Sequence, residues 1–459
     1  MMWTRKLTTK AGLKSSVAGF ARKEDGSMTI FAVFMFLMML LVGGIGVDLM
    51  RNEMDRTRLQ ATVDRAVLAA ADLDQPLDPD AVVRDYFDKA GMSQYLSSVT
   101  VEQGLNFRTV TANASTATPT QFMRIMGVEE LPVPARGQAQ ERVSDVEISM
   151  VLDISGSMGW DSKMANLQTA AKTFVDTVIN EANEDLISIS LVPYTAQVNA
   201  GWDIFSELST THVHNYSYCV DFEVADFSLT GLELSNHTYE QMQHFDQGWN
   251  YSNPVSNPGC PKRDFEEIVA FSQDAESLKT TIGKYKARAN TAIHLGMKWG
   301  VALLDPSFQP ITGALNDDDL VDDVFANRPS EYSDPDTLKT VVLMTDGQNV
   351  DTQRIQPWYY NSSSEIVHWN KYPLHWYLNN YVSGYWSNWR YTKYTAAQAD
   401  SMLANICTAA KDQGIVVWSV GFQVNDYSAG VMESCASSPS HFFRVEGVEI
   451  TEAFEAIAK

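Results

Sequence analysis

Three short segments of the 459-residue chain carry side chains that can act together on one small ligand. Asp153-Ile154-Ser155-Gly156-Ser157 reads D-x-S-x-S, Thr345-Asp346-Gly347 supplies a second carboxylate, and Asn290-Thr291 adds a hydroxyl. All of these donors are oxygens, which suits a hard cation such as Mg²⁺, or alternatively Mn²⁺ or Ca²⁺, rather than zinc. The hydroxyls of Ser155, Ser157 and Thr291 are neutral, so an ion held by them with Asp153 and Asp346 keeps much of its positive charge. An open position on such an ion attracts a carboxylate from a protein partner. That makes the set a docking device, with no catalytic residue to name. By itself D-x-S-x-S is weak, since a chain of this length shows it by chance roughly one time in ten. Each segment also has a plain alternative: a polar strand-to-helix turn for the serines, N-capping for Asn290 and Thr291, and a turn aspartate before Gly347. The metal reading gains its weight from all three lying, in order, at the ends of predicted elements.

Those elements follow from hydrophobic periodicity. Strands are expected over residues 146–152, 186–193, 339–344 and 414–420, and helices over 163–179, 292–304, 396–411 and from 450 onward. The alternation predicts an α/β fold, a doubly wound and mostly parallel sheet with helices on both faces. Sites in such sheets form at the carboxyl edge of the strands, where Asp153 and Asp346 are expected. Two insertions, at about 201–264 and 350–394, interrupt the pattern. The second is crowded with Trp and Tyr and reads either as a self-packed subdomain or as an exposed aromatic face for a protein or glycan. The acidic run Asn316-Asp317-Asp318-Asp319 lacks the glycine of an EF-hand loop and reads as solvated.

Residues 28–47 contain no charge, and twenty residues at 1.5 Å rise reach about 30 Å, the hydrocarbon thickness of a bilayer. The first 27 residues carry six basic side chains and two acidic ones, a basic leader whose charge places it on the cytoplasmic side and the rest of the chain outside. Gly43, Gly44 and Gly46 run directly into a helical pattern, so an uncleaved anchor is expected in place of a signal peptide. Leu59, Val63, Ala66, Val67 and Ala70 continue an amphipathic helix to about Leu73, with its stripe packed either within the chain or against sister subunits. Residues 74–143 read as a small α+β stalk with a short helix near 121–126, and residues 144–459 as the α/β domain.

Composition narrows the function. With 34 Lys+Arg against 57 Asp+Glu the net charge is −23, and a body this acidic is repelled by nucleic acid. The four cysteines all fall on the exported side, and an even number suits disulfides, for which three pairings exist. Cys407 and Cys435 flank the 414–420 strand, so the chain between them reverses; this favours Cys407 with Cys435 and leaves Cys219 for Cys260. There is no G-x-x-x-x-G-K-[ST], H-E-x-x-H or G-x-S-x-G motif, so no enzyme is expected.

The D-I-S-G-S, Thr291 and T-D-G elements resemble the metal-ion-dependent adhesion site (MIDAS) of a von Willebrand factor A domain. The region from about Gly26 to Ala71, with Leu59-Gln60-Ala61 followed by Ala66, Ala69, Ala70 and Ala71, resembles the TadE/TadG-like proteins of Flp pilus assembly. Further similarity lies in the run from Asn290 to Gly296, in Trp299-Gly300, and in Cys435-Ala436-Ser437-Ser438-Pro439. The resemblance implies that Asp153, Ser155 and Ser157 contact the metal, that Thr291 does so in the ligand-bound state, and that Asp346 acts directly or through water. Two departures stand out. The loop Lys286-Ala287-Arg288-Ala289-Asn290 lacks the glycines common in the family, and Gly26 is not followed by the glutamate of processed pilin-like relatives, which again favours a retained anchor. The expectation is a membrane-anchored, exported A-domain protein of pilus-assembly type in a bacterial inner membrane. Its partner would be a protein supplying a carboxylate, a pilus-assembly component by this resemblance. The alternatives are a surface adhesin for a host or matrix ligand, and a structural scaffold with a vestigial metal site.

Overall fold

The computed structural model describes residues 27–458 except 74, 76, 105–106, 143–144, 181–183 and 247–254, so the basic leader lies outside the described residues. The described residues form two compact units, 27–102 with 107–141, and 103–104 with 142–458.

The first unit is organised by a 45-residue helix, α1 (Ser27–Ala71). Its first half is exposed along nearly all its length and is long and apolar enough to cross a membrane. In its second half Leu59, Val63, Ala66, Val67 and Ala70 turn one face inward, so this stripe is packed within the chain. It meets α2 (Pro79–Lys89) and a sheet of β1 (Leu96–Gly104), β2 (Phe107–Pro119) and β3 (Glu130–Arg142), in that order. Val110, Ala112 and Ala114 alternate along β2 and fill the same core, as a half-buried strand requires. Helix α2 starts where Pro79 presets the first turn and the Asp78 carboxylate accepts the Ala81 N–H at 2.9 Å.

The second unit is built on six strands: β4 (Asp145–Asp153), β5 (Ile187–Tyr194), β6 (Val269–Ser272), β7 (Thr337–Thr345), β8 (Val416–Phe422) and β9 (Phe442–Val445). Their order is β9-β8-β7-β4-β5-β6; all neighbours are parallel except β5 and β6. Every residue of β5, and all but the first of β4, is buried, because helices cover both faces. On one side α3 (Lys163–Val178), α4 (Ala275–Lys284) and α7 (Glu449–Ala458) pack on Ile148, Met150 and Leu152; on the other, α5 (Ile293–Ala302) and α6 (Ala396–Asp412) pack on Val151. The register sets Met344 beside Leu152 and Asp153 beside Tyr194, so the carboxyl ends of β4, β5 and β7 are level.

Sequence periodicity had placed the inner strands and major helices but not the edges. Strands β6 and β9 are four residues each, too short for a period-two pattern to register. The two insertions share a core: Cys219, Met242, Phe245 and Cys260 of the first pack with Ile355, Trp369, Leu374 and Leu378 of the second. Most of the aromatics are thus inward or stacked on one another, while Trp358, Tyr381 and Tyr385 stay exposed. Cys219 is bonded to Cys260 and Cys407 to Cys435, with Cα separations of 5.9 and 5.1 Å.

Candidate functional site

Asp153 ends β4 fully buried. One carboxylate oxygen accepts the Ser155 N–H at 2.8 Å and the other accepts the Thr345 hydroxyl at 2.7 Å, so the adjacent strand end fixes its orientation. The chain then turns through Gly156–Gly159 into α3. This turn brings the Ser155 and Ser157 hydroxyls to 3.2 Å from each other, and Ser157 donates to Asp346 Oδ1 at 2.6 Å. Thr291 lies across Gly347 from Ser157: a methyl group at Gly347 would stand 3.7 Å from Ser157 Oγ and 3.9 Å from Thr291 Oγ1. Asp153, Ser155, Ser157 and Asp346 are therefore drawn into one hydrogen-bonded group, with Thr291 on its border.

The Thr291 loop is held without glycine. The Gly156 N–H donates to Ala289 O at 3.1 Å and the Arg288 N–H to Ile154 O at 3.0 Å, which ties the loop directly to the D-I-S-G-S turn. A methyl group at Gly156 would lie 2.8 Å from Ala289 O, so only glycine permits this approach. Ala289 itself sits at φ 53°, the left-handed conformation that glycine adopts freely. Arg288 is anchored to the buried Glu266 at 2.7 Å, and Asn257 of the first insertion braces the loop by accepting the Ala289 N–H at 3.1 Å. Asn290 and Thr291 do not cap α5. That role falls to Asn349, whose side-chain oxygen accepts the Ile293 N–H at 2.7 Å and whose amide donates to Asp400 at 2.9 Å.

One residue enters the site that sequence reasoning had left aside. Lys163, first in α3, donates from Nζ to Asp346 Oδ2 at 2.9 Å, with both side chains almost wholly enclosed. Two buried carboxylates and one ammonium leave a net negative site. Burial and the neighbouring Asp346 charge push the Asp153 carboxyl upward, the mark of a charge still wanting compensation. The donor set therefore fits a hard cation. Among the described residues no three His, Cys, Asp or Glu side chains converge, so such an ion would rest on hydroxyls and two carboxylates together. At the rim Trp160 is 70% exposed, and beside Gly347 a shallow surface depression is lined by Asn349, Asp400 and Tyr427 among others. The only advance signal for Lys163 was its position in the first turn after D-I-S-G-S; Asn349 follows T-D-G by two residues and could have been noted the same way.

A mostly parallel six-stranded sheet with one antiparallel edge strand, and D-x-S-x-S at the end of its first strand, defines a von Willebrand factor A fold. Residues 26–73 match the Tad family, described as putative Flp pilus-assembly TadE/G-like. Solved structures similar to the chain include the vWF domain of the type V pili tip protein Mfa5 from Porphyromonas gingivalis, 15% identical, covering 69% of this chain and 94% of that one with a TM-score of 0.35. The pilus adhesin SpaC from Lactobacillus rhamnosus GG is 13% identical, with 78% and 33% covered and a TM-score of 0.31. Proximal thread matrix protein 1 from the mussel byssus, in a form with a zinc-occupied MIDAS motif, is 12% identical, with 69% and 47% covered and a TM-score of 0.30. The chain thus spans less than half of the last two. No curated protein sequence matches it.

Proposed function

We propose that the chain is a membrane-anchored A-domain protein of pilus-assembly, TadG-like type, held in a bacterial inner membrane by residues 28–47 with its C-terminal part periplasmic or surface-facing. In this reading it binds a protein partner through a divalent cation, Mg²⁺ or a similar hard ion, held by Asp153, Ser155, Ser157, Thr291 and Asp346. The observation that carries the proposal is the joining of Asp153, Ser155, Ser157 and Asp346 at the carboxyl edge of adjacent parallel strands. When bound, the ion would supply a positive centre able to accept a partner carboxylate. The chain's own residues do the rest: Thr345 orients Asp153, Gly156 and Ala289 hold the Thr291 loop against the serines, and Trp160 offers an apolar surface at the rim.

The Lys163–Asp346 ion pair favours a second reading, in which the site is satisfied internally and the domain is a scaffold. Crosslinking and pull-down from intact cells separate the two. Partner recovery should fall sharply with Asp153→Ala, reproduce that fall with EDTA on the wild type, and fall less with Ser155→Ala, since water can replace a neutral ligand. Equal recovery from wild type with Mg²⁺, wild type with EDTA and Asp153→Ala would leave the scaffold reading standing.

A further inference from the structure

We infer that the loop joining β2 to β3 is a second membrane-contacting element, seated in the bilayer interface beside the point where α1 leaves it. The inference rests on the anchor reading of residues 28–47 and adds a lipid-facing surface to it.

The geometry is a zipper along one helix. Gln60 donates to Arg136 O at 2.8 Å, the Thr118 hydroxyl donates to Asp55 at 2.7 Å, and Asn52 donates to Leu131 O at 3.4 Å. Nearer the membrane, the buried Asp48 carboxylate accepts three backbone N–H groups, from Gln121, Phe122 and Met123, at 3.0, 2.8 and 2.8 Å. Phe122 reaches further still: a methyl group at Gly44 would lie 2.3 Å from its ring, so the ring rests directly on the helix backbone. Each step toward the hairpin tip is thus a step toward the N-terminus of α1, and the tip points at the membrane. Gly44 lies within the uncharged segment 28–47, roughly 5 Å along the axis from its end. If that segment spans the bilayer, Phe122 lies at the edge of the hydrocarbon.

The tip presents the side chains such a place requires. Ile125 is 76% exposed and Met126 59%, at a tip (121–128) whose one charged residue is the exposed Arg124, with Glu129 and Glu130 following at its neck. Two adjacent apolar side chains in water are an unusual feature for the tip of a small hairpin, whereas an apolar pair beside one basic group matches the interface, with the hydrocarbon boundary for Ile125 and Met126 and phosphates for Arg124. The turn is rigid enough to hold them there. The Thr120 N–H donates to Glu129 O at 3.0 Å across its neck, and Gly127, in the left-handed conformation, closes the short helix Met123–Met126. The uncharged length and flanking charges of a single helix set its depth in a bilayer but not its rotation about its own axis, which a wedge fixed to one side of it at the interface does set.

The test uses the full chain reconstituted in phosphatidylcholine/phosphatidylglycerol vesicles. The native cysteines are paired, so single cysteines at Phe34→Cys, Ile125→Cys, Met126→Cys and Leu77→Cys can each carry an environment-sensitive fluorophore. Doxyl-labelled phosphatidylcholine should quench the labels at 34, 125 and 126 at least about two-fold more than the label at 77, which lies beyond the far end of α1. Strong quenching at 34 with 125 and 126 no better quenched than 77 would overturn this inference and leave the anchor. No quenching at 34 would remove the anchor and the inference with it. A blue shift at 125 and 126 that grows with protein density and ignores the quencher would mean contact with a second copy, and would likewise overturn it.

Discussion

At the scale of single residues the site is governed by charge in a dry place. Lys163 neutralises part of the Asp153 and Asp346 pair and, for the same reason, opposes any divalent ion there. Lys163→Met should therefore raise Mg²⁺ or Mn²⁺ affinity about tenfold, equivalent to about 1.4 kcal/mol, while lowering the stability of the metal-free chain. Calorimetric titration reads the affinity and thermal unfolding without metal reads the stability; weaker ion binding by the variant would show that the lysine supports the site. A second residue makes stability depend on pH. Burial, with Asp264 and Asp203 nearby, pushes the half-buried Glu267 carboxyl up to about 7. The folded chain then holds a proton that the unfolded chain releases at ordinary carboxylate pH, so stability falls as pH rises between those values. Glu267→Gln should stabilise by about 1 kcal/mol at pH 8, after allowance for solvent screening, and leave pH 4 unchanged. Urea unfolding at the two pH values checks this, and an equal effect at both would refute it.

At the scale of elements, the strand ends matter more than the strands. The D-I-S-G-S turn and the Thr291 loop meet at Gly156 and Ala289, where a side chain on the first is excluded and a side chain on the second is strained. Gly156→Ala should separate the loops and cost about 2 kcal/mol, whereas Ala289→Gly should be neutral or stabilising by up to about 1 kcal/mol, since relief of the left-handed alanine offsets the looser unfolded chain. Thermal unfolding of the two variants gives the comparison. The Cys407–Cys435 bond clamps the end of α6 to the chain after β8 across 28 residues. Replacing both cysteines with serine should cost about 3 kcal/mol, visible as a lower denaturant midpoint under non-reducing conditions.

At the scale of the whole molecule, one chain joins an apolar helix to a large acidic body. Membrane fractionation should recover the full chain with the membrane, and epitopes placed beyond Met92 should be reachable only from outside the cytoplasm. A soluble mature chain beginning near Val47 would refute the anchor. How much of this was legible in advance depends on how far apart in sequence the interacting residues lie. The uncharged 28–47 segment, the stripe from Leu59 to Ala70, the buried strands β4, β5, β7 and β8, and the oxygen donors at their ends are local patterns, because burial of a strand or helix face imposes its period on neighbouring residues. The Cys407–Cys435 pairing also followed from local order, as two cysteines on either side of one strand. Only the tertiary structure decided that Lys163 reaches Asp346, that Asn349 and not Asn290 caps α5, that the two insertions share one core, and that Phe122 lies on Gly44. Each of these joins residues tens to hundreds of positions apart, and a contact made by chain crossing leaves no periodic trace in either partner.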